Sequence, residues 1–185
     1  MIHTVDEGDP PEMKGKVRLF IPDFENEHEK IEIRVNVRPY LRESLAELKK
    51  RFQIVAFTAS EQKYADAILD YIDPENNIFD MRLYRQHCVS TEFGHIKDLR
   101  IIRNRDIKDI LIIDNNCLSF AFNINNGVPI LPFYDNENDE ELKHLTYYLN
   151  CLQESNVHDV RAHNHEAFGL MKLRDAFKSN SHIDE

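Results

Sequence analysis

The sequence predicts an α/β fold in which a mostly parallel sheet carries helices on both faces. Near-continuous apolar runs at residues 53–57 and 109–113 alternate with stretches whose apolar residues recur every three or four positions. Short apolar runs suit parallel strands buried on both faces, and amphipathic helices between them suit crossover connections. Both runs also end in a polar signature, Thr58-Ala59-Ser60 and Asp114-Asn115, with Lys97 isolated between them in Ile96-Lys97-Asp98-Leu99. A hydroxyl, an ammonium and a carboxylate/amide pair at strand ends are groups able to hold a phosphoryl group and a Mg²⁺ ion.

Taken in order, the opening stretch to Gly15 contains Pro10-Pro11 and reads as a loop. Residues 17–21 and 31–37 alternate apolar and polar, the pattern of two strands with one half-exposed face, separated by the polar stretch 22–30. Pro39 suits the first turn of a helix carrying Leu41, Leu45, Leu48 and Phe52 along one side. After the strand at 53–57, Ser60 is placed to cap a helix to about Tyr71, with Tyr64, Ala65, Ile68 and Leu69 inward. Asp73-Pro74 stops that helix. Residues 79–84, 109–113 and 128–131 are further strands. Asn138 or Asp139 starts a helix with Leu142, Leu145, Leu149 and Leu152 on one side, and a last helix spans about 159–177.

A chain of 185 residues with 42% hydrophobic and 30% charged residues is expected to form one domain, here residues 1–178 with a polar tail at 179–185. The net charge of −10 argues against nucleic acid as a direct partner. It leaves open a local basic groove around Arg82, Arg85, Lys97, Arg100, Arg103 and Arg105. No run approaches 18 apolar residues, so no membrane partner is expected. Three widely spaced cysteines suggest a reducing compartment, nuclear or cytoplasmic. His87-Cys88, His163 and His165 lack zinc-ligand spacing. The carboxylates of residues 135–141 are best explained by a helix start.

Six segments in order carry a resemblance: Val37-Arg38-Pro39; Phe57-Thr58-Ala59-Ser60 with Tyr64-Ala65-Asp66; residues 83–88 (Leu-Tyr-Arg-Gln-His-Cys); Ile96-Lys97-Asp98-Leu99; Ile113-Asp114-Asn115; and residues 126–130 (Asn-Gly-Val-Pro-Ile). Together they resemble the RNA polymerase II C-terminal-domain small phosphatases, or NLI-interacting-factor-like phosphatases, a branch of the haloacid-dehalogenase superfamily. The resemblance implies a Rossmann-like sheet with a small β-hairpin insertion. It also implies Mg²⁺-dependent dephosphorylation of phosphoserine or phosphothreonine peptides in a phosphoprotein, through an aspartyl-phosphate. By the same resemblance Thr58 would hydrogen-bond the transferring phosphoryl group, with Ser60 supporting that loop, and Lys97 would neutralise charge on the phosphoryl oxygens. Asn115 would supply an oxygen to Mg²⁺, and Asp114 would orient Lys97 and water around the metal. Arg85 at the rim and Tyr64 on a pocket wall would touch the substrate peptide, with a structural ion pair as the alternative role of Arg85.

The family's Asp-x-Asp-x-Thr would precede Ile2-His3-Thr4, so neither catalytic aspartate lies in these residues. The first central strand is therefore expected to be missing, Mg²⁺ binding weak or absent, and this polypeptide inactive by itself. The alternative reading is a phosphatase-like binding module, as in a related mitochondrial translocase subunit, that recognises a partner peptide or phosphopeptide without chemistry. Asn116-Cys117 stands where the family often has Ser-Pro.

Overall fold

Alternation at residues 17–37 does produce two paired strands, and a third joins them. In the computed structural model, β1 (Ile2–Thr4), β2 (Val17–Pro22) and β3 (Lys30–Val37) form an antiparallel sheet in the order β1-β3-β2. The structure describes residues 1–5, 9–10, 13, 15–23, 28–170 and 172. Ile2 pairs with Val37 and Thr4 with Val35, so the opening residues are not the loop that the sequence suggests. Three residues are too few to show a period, and only the register against β3 defines this strand.

The chain divides into two units, residues 1–87 with 131–153, and residues 88–130 with 154–185. In the first, α1 (Leu41–Lys49) buries Leu41, Leu45 and Leu48, as its spacing predicts. It begins two residues after Pro39, because Tyr40 adopts a left-handed φ of 64°. Next, β4 (Ile54–Phe57) pairs in parallel with β5 (Phe79–Leu83) across α2 (Gln62–Ile72). All four β4 residues are only half-buried, whereas burial on both faces was expected. Among the described residues β4 has a strand on one edge alone. Ser60 does not cap α2; Glu61 occupies that position and makes no side-chain cap bond. Ala65, Ile68 and Ile72 form its buried stripe. Further on, α3 (Glu141–Glu154) buries Leu142, Leu145, Leu149 and Leu152, the predicted four, and the Asp139 carboxylate accepts from the Glu141 amide at its start.

Two buried charges fix this unit. Arg38, 1% exposed, donates to both carboxylate oxygens of Asp139 at 2.7 and 2.8 Å and to the Leu131 carbonyl at 2.7 Å. Its guanidinium carbon lies 5.6 Å from the Phe133 ring centre, so one side chain ties the end of β3 to the segment leading into α3. Asp73, 2% exposed, ends α2 and accepts from the amides of Asn77, Ile78 and Phe79 at 2.9, 2.9 and 3.1 Å. Burial pushes its carboxyl up, but those three amides and Arg82 outweigh it and hold the group below the usual range. Asp73→Asn would point an NH₂ at amide donors. It should cost about 1–3 kcal/mol of stability in chemical denaturation. A depressed carboxyl contributes stability fully above the unfolded value of about 4, lost as pH falls through the folded one. The variant should therefore lose less stability than wild type between about pH 5 and 2.

In the second unit, β6 (Val89–Thr91) and β7 (Gly94–Ile96) form a hairpin at residues where the sequence pattern predicts no strands, and β8 (Ile112–Asp114) pairs in parallel with β9 (Gly127–Pro129). The run at 109–113 does not become a strand throughout. Ile107–Asp109 forms a 3₁₀ turn capped by Asp106. Asn126 donates to the carbonyls of Ile107 and Ile110 at 2.6 and 2.7 Å, taking acceptors that a sheet would use. Leu99, Ile112, Phe120 and Leu170 make the core. Finally, α4 (Val160–Phe168) starts at Asp159, whose carboxylate accepts from the Arg161 amide, and ends at Gly169 with φ 59°. The left-handed glycine interrupts the helix predicted to about 177; Leu170 and Lys172 are helical again, and residues 171 and 173–177 lie outside the described residues. The α/β class stands, with its parallel strands paired two by two.

Candidate active site

The site residues expected from the sequence fall in both units. Thr58, Ser60, Tyr64 and Arg85 belong to the first, Lys97, Asp114 and Asn115 to the second.

The chain turns sharply after β4. The Thr58 amide donates to the Leu83 carbonyl at 2.9 Å, and Thr58 Oγ1 accepts from the Ser60 amide at 3.1 Å. This Ser/Thr turn substitutes for a cap and fixes the hydroxyl at the strand end. The loop is closed from outside by Arg85. Its amide donates to the Ser60 carbonyl at 3.0 Å, its Nε to the Ala59 carbonyl at 2.8 Å, and its Nη1 to Glu61 at 3.0 Å. Arg85, expected at a substrate rim, here clamps the loop that carries Thr58. The Tyr64 hydroxyl bonds the Thr4 hydroxyl, which anchors β1 to α2.

In the second unit Lys97 Nζ meets Asp114 Oδ2 at 2.5 Å, with the two side chains only 12% and 10% exposed. The other carboxylate oxygen accepts from the Asn116 amide at 2.8 Å. Lys97's own amide donates to the Ser119 carbonyl at 2.6 Å, so backbone and head are both fixed. Asn115 projects from the same turn, exposed, with no hydrogen bond among the described residues. Cys117 follows, and burial, with the Asp114 charge second, pushes its thiol up. That keeps it protonated and a poor nucleophile.

The site's support was not visible in the sequence. Asp66 accepts from the Tyr84 hydroxyl at 2.6 Å and from Arg82 at 3.2 Å. Burial, and then the Asp66 hydrogen bond, pushes the Tyr84 phenol up to about 12. Arg82, Arg85, Lys97 and Arg100 each sit against a carboxylate, of Asp70, Glu61, Asp114 and Asp98 respectively. These four positions of the anticipated basic groove therefore carry ion pairs instead of unbalanced charge. A Cβ at Gly127 would meet the fully buried Phe120 ring at 2.0 Å. Gly127→Ala should cost about 1–3 kcal/mol by overpacking beneath the strand paired with Ile112–Asp114. Thermal unfolding would read the loss, and Phe120→Leu should recover part of it.

The NLI interacting factor-like phosphatase model matches residues 1–161, across both sets of residues. The chain belongs to that family. It is 40% identical over 155 residues to CTD small phosphatase-like protein 2 of Dictyostelium discoideum, covering 84% of this chain and 26% of that protein. It is 35% identical over 161 residues to nuclear envelope morphology protein 1 of Schizosaccharomyces pombe, covering 87% and 32%. The first relatives are thus matched over less than half their length. The fission yeast RNA polymerase II CTD phosphatase Fcp1, solved with beryllium fluoride, superposes with a TM-score of 0.56 at 15% identity, covering 98% of this chain and 64% of that one. That likeness shows the α/β, haloacid-dehalogenase-like fold. No helix among the described residues is long and apolar enough to cross a membrane.

The donors at Asp114-Asn115 have the right chemistry for Mg²⁺, hard oxygens, but they do not suffice to hold it. One carboxylate is already shared between Lys97 and the Asn116 amide, and the described residues hold no cluster of three acidic, His or Cys ligands.

Proposed function

We propose that this NLI-interacting-factor-like chain is most of the domain, residues 1–178, of a Mg²⁺-dependent protein-serine/threonine phosphatase. Its attacking aspartate is supplied by residues outside these 185, and by itself the chain does not turn over. The observation that carries the reading is the largely buried Lys97–Asp114 pair, its side chains 12% and 10% exposed, beside an exposed Asn115. A pure binding module has no use for an ammonium held this firmly next to an amide oxygen at a strand end. Thr58, set in its turn, would donate to a phosphoryl oxygen, and Lys97 would offset charge as the phosphoryl group transfers. In the complete enzyme Asn115 and, through water, Asp114 would hold Mg²⁺, which lowers the repulsion between an anionic nucleophile and the phosphate. The substrate is a phosphoserine or phosphothreonine peptide in a nuclear or cytoplasmic phosphoprotein.

The test has two arms. The 185-residue chain should hydrolyse a generic phosphate monoester no faster than its Lys97→Ala variant. Extending it with a strand ending in Asp-Leu-Asp-Glu-Thr before Ile2 should create Mg²⁺-dependent turnover. Measured turnover in the first arm, or none in a folded extended protein, would sink the reading. Phosphopeptide binding without turnover in the extended protein would instead establish the binding module.

A further inference from the structure

A cavity of about 200 Å³ lies in the first unit, lined by residues other than those of the Thr58 loop. Its apolar surface comes from Val37, Pro39 and Phe133, and its polar groups include Asn36, Asp135 and Glu137. This is many times the room one water requires.

Two independent features point to a ligand. Asn36 is 1% exposed, and its Oδ1 accepts from the Lys16 amide at 3.1 Å, yet its Nδ2 has no hydrogen-bond partner. Buried polar side-chain atoms are nearly always satisfied, so an unpaired donor on a residue that lines the cavity calls for an acceptor. The second feature is charge. Residues 135–141 read Asp-Asn-Glu-Asn-Asp-Glu-Glu. Glu137, Asp139 and Glu140 are paired with Lys16, Arg38 and Lys143, whereas Asp135 has no ion pair or hydrogen bond among the described residues. The cavity thus offers an amide donor, an apolar wall and an uncompensated carboxylate. The Arg38 contact behind Phe133 keeps that wall in place.

We propose that the cavity docks a short basic peptide segment of a partner protein. An apolar side chain enters against Val37, Pro39 and Phe133, its main-chain carbonyl accepts from Asn36 Nδ2, and a neighbouring Lys or Arg pairs with Asp135. A peptide carries these three groups at fixed spacing in one strand. The site is one of attachment and stands apart from the phosphatase reading.

The probe is a fluorescein-labelled Arg-Lys-Leu-Arg-Lys peptide, titrated with the 185-residue chain at physiological salt and followed by anisotropy. Saturable binding is expected. Asp135→Lys, on an exposed segment, should weaken it about tenfold, the size of one lost charge-assisted contact. Asn36→Leu should weaken it similarly. Replacing the probe's leucine with serine should abolish it. If Asn36→Leu does not fold, chemical-shift changes at Val37 and Phe133 of the wild type on adding the probe decide the same point. The proposal fails if no saturation is reached. It fails equally if Asp135→Lys binds as wild type does, or if a Glu-Asp-Leu-Glu-Asp peptide binds as well.

Discussion

Arg38→Ala is expected to remove about 3–5 kcal/mol of stability, the usual cost of leaving one member of a buried ion pair alone. Against a total of about 5–15 kcal/mol for a domain, that brings the first unit near unfolding at 37 °C. The size follows from what the guanidinium does. It satisfies both Asp139 oxygens and the Leu131 carbonyl and packs on Phe133, all while 1% exposed. Removing it strands a carboxylate and a carbonyl and opens a cavity at once. Arg38→Lys should recover only part, because an ammonium cannot grip the carboxylate in two places. The Arg38 hydrogen bond holds the Asp139 carboxyl below its usual range. The pair's contribution is therefore whole above the unfolded value of about 4 and is lost as pH falls through the folded one. Urea denaturation at pH 7 and pH 3 checks both statements. A wild-type to Arg38→Ala gap that does not narrow at the lower pH would contradict the second.

The other large effect is on rate. In a protein extended to carry the attacking aspartate, Lys97→Ala should lower turnover about 10²–10³-fold, as loss of one charge-stabilising donor typically does. Thr58→Ala and Asn115→Ala should each remove much of the activity as well. Asn115→Ala alone should be partly recovered by raising Mg²⁺, since Asn115 is exposed and is the residue expected to touch the metal. Lys97→Ala also leaves Asp114, only 10% exposed, without its cation, so unfolding must be measured beside the kinetics. Asp114→Asn separates the two effects: it keeps an oxygen for the Asn116 amide but loosens the ammonium. A rate loss there with unchanged stability would show that orientation of Lys97, and not integrity of the turn, is what the carboxylate provides.

How far the sequence reached depended on how local the cause was. The four leucines of α3, the stripe of α1, the strands at 17–22 and 30–37 and the stop at Asp73 were legible because period, alternation and Asp-Pro chemistry act within a few residues. The polar signatures after the apolar runs were legible for the same reason, and their order carried the family. Other features had no local sign. Ile2–Thr4 became a strand because Val35–Val37 lies opposite it. Residues 109–111 stay out of the predicted strand because Asn126, sixteen residues beyond Ile110, takes the carbonyls of Ile107 and Ile110. Arg85 reads as a rim cation in sequence and becomes a clamp only because the loop at Ala59 folds against it. The sequence by itself determined the family and most of the elements, and it singled out the candidate phosphate-handling residues, since these rest on short-range pattern and on side-chain chemistry. Which of those side chains are paired, and with what, only the tertiary structure decided. Lys97 with Asp114, Arg38 with Asp139 and the unmatched Asn36 donor join positions 17 to more than 100 residues apart or depend on burial that no single segment encodes.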